Sequence, residues 1–66
     1  MDVLRKILDD GTIIYFKGEH MEYRLFLDNN ILELWRHSYQ KRSRWIHAHN
    51  SINLIEMLNF ISENLD

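Results

Sequence analysis

The residues of this chain best suited to acid–base or metal chemistry are its four histidines, at positions 20, 37, 47 and 49, since cysteine is absent. Imidazole titrates near neutrality and is a common zinc ligand. On a regular strand His47 and His49 would share one face, and His37 on a neighbouring strand could supply a third imidazole. No spacing fixes that third ligand, and surface or packed histidines are the more ordinary reading of the pattern. A metal is therefore not assigned to His37, His47 and His49, and no cofactor is implied. A histidine could also act as general base with Ser38, Ser43 or Glu33 as its partner. Against an enzyme stands the segment GTIIYFKG, whose glycines read as a helix cap and a turn rather than a phosphate loop. A chain this short also has difficulty enclosing the roughly 300 Å³ that small-molecule sites usually need. The expectation is a protein with no catalytic residue.

The second chemistry is recognition. WRHSYQKRSRWIHAH, residues 35 to 49, holds four of the eight Lys and Arg residues, three histidines and both tryptophans, with no acid. Trp35, Arg36, Tyr39, Arg42, Arg44 and Trp45 are the candidate partner-binding residues. Aromatic rings and arginines dominate protein interface hot spots. The same types, with Lys41, could instead stack bases and contact phosphates on a single nucleic-acid strand. Four cations would give only a shallow salt slope, near −3 or −4, and weak binding without stacking or dimerisation. The ordinary alternative is a solvated basic hairpin with its tryptophans packed into a sheet.

These side chains must be positioned by a small domain. Sixty-six residues, read as a single domain over 1–66, bury only about 60% of the surface of their unfolded chain. Marginal stability makes oligomerisation attractive. Hydrophobic residues make up 45% of the chain and charged ones 27%, with two glycines and no proline, which is the composition of a folded chain. Absence of cysteine removes disulfides and fits a cytoplasmic location. The start, MDVLRKILDDG, does not read as a targeting signal, and no apolar run approaches the roughly 18 residues of a membrane span. Net charge is −2, yet Leu34 to Ile55 carries four basic and no acidic residues against four basic and ten acidic elsewhere.

Hydrophobic spacing gives the elements. Val3, Leu4, Ile7 and Leu8 predict a helix over 2–10, with Asp2 as its N-cap and Gly11 as its C-terminal cap. TIIYFK, 12 to 17, reads as a strand covered on both faces or inside the sheet. MEYRLFL and ILELWRH flank Asp28-Asn29-Asn30, a hairpin turn because asparagine tolerates positive φ. Either register puts Tyr23, Leu25, Leu27, Leu32 and Leu34 on one face, and Arg24, Phe26, Ile31, Glu33, Trp35 and His37 on the other. SYQKRS is a polar hairpin tip leading to RWIHAH as a short fourth strand. Residues 51 to 65 predict the second helix, with Leu54, Met57, Leu58, Ile61 and Leu65 as its core stripe. Asn50, Ser51 and Asn53 are candidate caps, and Asn53 with Glu56 would make a capping box. Phe60 projects off that stripe and hints at a partner.

The expected fold is α+β, in the order αβββ(β)α: a three- to four-stranded antiparallel meander between a short N-terminal helix and a C-terminal helix, both packed on the leucine face. The expected role is a small cytosolic regulatory module, possessing no enzymatic activity, that docks onto a protein partner through its basic and aromatic stretch. It is expected to be a homodimer and to keep off membranes. Nucleic-acid binding by the same residues is the alternative.

Overall fold

The computed structural model describes residues 2–40 and 43–65. Lys41 and Arg42 lie outside the described residues, as does the side chain of Asp2 that was expected to cap the first helix. The order is α1 (Asp2–Asp9), β1 (Ile14–Lys17), β2 (Met21–Asp28), β3 (Ile31–Ser38), β4 (Ile46–Ser51) and α2 (Leu54–Asn64). The strands form one antiparallel sheet in the order β1-β2-β3-β4. This is the meander that the sequence predicts, with its fourth strand present.

Gly11 ends α1 with φ +86°. Its N–H donates to Leu8 O (3.1 Å) and the Thr12 N–H to Ile7 O (3.3 Å), a Schellman cap that satisfies two otherwise orphaned carbonyls. No atom lies near the position of an added Cβ, so the backbone angle rather than space selects glycine here.

Asn29 and Asn30 both have positive φ, 52° and 63°, as a two-residue hairpin turn of right-handed twist requires. The turn sets the register Leu25–Leu34 and Leu27–Leu32, and so fixes which face each residue takes. Asn30→Gly should raise the free energy of unfolding by about 0.5 kcal/mol, and Asn30→Val should lower it by roughly 1–2 kcal/mol. Urea titration followed by circular dichroism measures both. A stabilising valine would contradict the turn.

The leucine face is the core. Tyr23, Leu25, Leu32 and Leu34 are buried with Leu8 from α1 and Met57 from α2. Phe16 stacks on Tyr23 at 5.1 Å between ring centres and closes the β1 end. β1 differs from expectation: a meander leaves its first strand at the sheet edge, so Ile14 and Phe16 turn inward while Tyr15 stays 57% exposed.

In α2, Asn53 is the N-cap and its Oδ1 accepts the Glu56 N–H (3.0 Å). The capping box is half made, because the Asn53 N–H donates to Ser51 Oγ (3.0 Å) and the Glu56 carboxylate turns to His49. The helix ends at Asn64, leaving Leu65 extended and 45% exposed rather than in the core stripe. No helix among the described residues is long and apolar enough to cross a membrane.

Candidate functional site

Among the described residues the sheet face opposite the helices carries no covering helix or strand, and it is laid out in cross-strand rows. One row runs Tyr15, Arg24, Trp35, His47, and the next runs Lys17, Glu22, His37. Phe26 and Glu33 form a third. Trp45, just before β4, folds against the middle of this face. Its ring lies 4.1 Å from that of His37 and 6.4 Å, edge-on, from that of Tyr15.

Arg24 is the hub. Its guanidinium carbon lies 4.6 Å from the Trp45 ring centre, 5.6 Å from that of Trp35 and 5.7 Å from that of Phe26. Such stacking satisfies a guanidinium's flat faces through the ring quadrupoles and leaves its edge for hydrogen bonds. Arg24 Nε and the Trp35 indole N–H are out of water and lack a hydrogen-bond partner.

The histidines do not converge. Between the pairs Leu34–His49 and Trp35–His47, β3 advances one residue and β4 two, so Ala48 is an extra residue in a bulge. The bulge sends His47 to the Trp35 face and His49 to the core face, whereas regular alternation would have placed them together. Each histidine then finds its own carboxylate. His37 Nε2 donates to Glu22 (2.8 Å), His47 Nε2 to Glu33 (2.6 Å) and His49 Nε2 to Glu56 (2.9 Å). No trio of potential metal ligands occurs among the described residues.

The two serines weighed as partners of a histidine are engaged with each other. Ser43 Oγ accepts the Ser38 N–H (3.0 Å) and its hydroxyl donates back to Ser38 O (3.4 Å), so the two serines brace the hairpin tip. A shallow open depression of about 530 Å³ lies beside Lys6, Ile7, Asp9, Asp10 and Thr12, remote in sequence from every candidate.

Of the six recognition candidates, the structure brings Trp35 and Trp45 together around Arg24. Arg36 shares a row with Tyr23 and Ile46, so it projects from the opposite face of the sheet. Tyr39 anchors the tip to the first turn, its hydroxyl donating to the carbonyls of Glu19 and Gly18, with Lys17 Nζ 5.3 Å from its ring centre. Arg44 is exposed on the tip, and Arg42 lies outside the described residues. Two residues of this face were missed as candidates. Arg24 was legible from its parity with Trp35, but it lies outside the basic cluster. Tyr15 was hidden by reading β1 as covered on both sides.

The Phe60 hint has an explanation within the chain. Phe60 packs against the core and stacks on the His49 ring at 3.9 Å, nearly parallel. The bulge that turns His49 inward provides that cover. The His49 hydrogen bond, with Ser51 adding to it, holds the Glu56 carboxyl below its ordinary value of 4.5. A depressed folded-state value contributes stability above the ordinary value and loses it as pH falls through the depressed one. Glu56→Gln should therefore be less stable than the parent at neutral pH, and the gap should close on acidification below pH 4.5. Thermal melts of both proteins across that range test this, and a gap independent of pH would contradict it.

Compared with known protein families, curated proteins and solved structures, the chain matches none.

Proposed function

We propose that the chain is a small docking module that works without catalysing a reaction, binding a protein partner on the sheet face of Tyr15, Arg24, Trp35 and Trp45. The observation that carries this reading is the asymmetry of the sheet. Among the described residues two helices cover one face, while the other holds the exposed Tyr15 ring, the part-buried Trp35 and Trp45 rings and an arginine with no helix over them. Exposed faces of this composition mark interaction sites.

Charge favours protein over nucleic acid. Lys17 and Arg24 are the cations in the strand rows of this face, against the carboxylates of Glu22, Asp28 and Glu33, so acids outnumber bases there. Arg36 faces the other way. A polyanion gains little from a platform on which carboxylates outnumber cations. Affinity capture from the native cells, with and without nuclease, tests the reading. Protein recovered after nuclease treatment, and lost with Trp45→Ala, supports it. Recovery that depends on nucleic acid would put the nucleic-acid reading first.

Homodimerisation is a second proposal and now rests on this face alone, since Phe60 is covered by His49. Self-association about an axis through Arg24 would bring the two arginines together, which is unfavourable without an intervening anion. Light scattering at micromolar concentration decides the occupant. A monomer leaves the face for a different protein, and a dimer dispersed by Trp35→Ala would make the second copy its partner.

A further inference from the structure

We infer that Arg24 is a receptor for a carboxylate, so that the partner docked on this face presents an aspartate or glutamate side chain to it. The inference rests on the docking reading above and names the chemistry of the partner. Its basis is an unmatched cation. Among the described residues the Arg24 side chain makes no ion pair and no hydrogen bond, and it lies against three aromatic rings. The carboxylates beside it are engaged elsewhere, Glu22 with His37 and Glu33 with His47.

The geometry suits an incoming anion. Nε is the guanidinium nitrogen that is sealed from water without a partner, while Arg24 as a whole is only part-buried. Trp45, Trp35 and Phe26 hold the guanidinium, so little side-chain freedom remains to be lost when a carboxylate takes both terminal nitrogens. A carboxylate is one compact charge and neutralises one arginine. A nucleic-acid strand would also bring phosphates towards Glu22 and Glu33, where like charges repel. The rings around Arg24 exclude water from the pair and provide apolar contact for the residues flanking the acid.

The test is a titration of the whole chain, observed at the Arg24 Nε–H and the Trp35 and Trp45 indole N–H resonances. The probes are a short peptide of leucine, aspartate and glutamate, its asparagine and glutamine counterpart, and an oligothymidylate. The acidic peptide should shift all three resonances saturably, and its neutral counterpart should bind about tenfold or more weakly, as expected for losing a charge-assisted bidentate pair. Arg24→Lys, which keeps the charge but not the fork, should also weaken the acidic peptide by about tenfold while preserving the circular dichroism spectrum. Equal binding of the acidic and neutral peptides would overturn the carboxylate receptor and leave protein docking standing. No saturable shift with the acidic peptide would overturn it too. Saturation by the oligothymidylate alone would overturn both readings.

Discussion

Leu34→Ala is expected to lower the free energy of unfolding by about 3 kcal/mol, the usual cost of emptying a well-packed leucine site. Leu34 is 1% exposed on β3, paired with Leu25 on one side and His49 on the other. Strands held on both sides cannot collapse readily into the space left by the side chain. Helices α1 and α2 reach the same cluster through Leu8 and Met57, so the cavity would loosen both helices as well as the sheet. Small domains have only about 5 kcal/mol or somewhat more to lose, and the variant should be largely unfolded in mild urea. Equilibrium denaturation of parent and variant gives the difference. A loss under about 1 kcal/mol would mean that the core is not centred on this residue.

Trp45→Ala is expected to divide stability from binding. The indole sits before β4, half-buried, against Arg24, His37 and Tyr15, and has no place in the leucine core. Its removal should cost the fold about 1 kcal/mol, the worth of a partly exposed ring and one cation–π contact. The partner should bind about 30-fold or more weakly, because a truncated aromatic anchor costs about 2 kcal/mol or more at a hot spot. Thermal melting and calorimetric titration with the captured partner separate the two effects. Loss of fold and affinity in equal measure would make Trp45 a structural residue and remove it from the interface.

Much of this fold can be read directly from residue types. The leucine face follows from alternation in two strands and from a pair of asparagines whose positive φ fixes the turn, and both registers gave the same partition of side chains. Gly11 marks the end of α1 for a local steric reason. The places where sequence reading failed involve contacts between distant segments. Nothing local in IHAHNS announces the bulge at Ala48, which depends on the fit of β4 to β3, and that one residue separates His47 from His49 and gives Phe60 its cover. The edge position of β1 likewise depends on the order of the whole sheet. The basic run that a charge count picks out as contiguous is also dispersed by strand pairing: Arg36 goes to the far side, Tyr39 braces a turn, and Arg24 arrives from β2 to stand between the tryptophans.

The central claim, that the helix-free sheet face is the docking surface, is tested most directly by photo-crosslinking from two positions in the native cells. Tyr15 is 57% exposed on that face, and Ile55 is 60% exposed on α2, across the sheet. With a photoreactive phenylalanine at one position or the other, the account predicts a nuclease-resistant protein adduct from position 15 and none from position 55. An adduct from position 55 alone, or one from position 15 that nuclease removes, would contradict it.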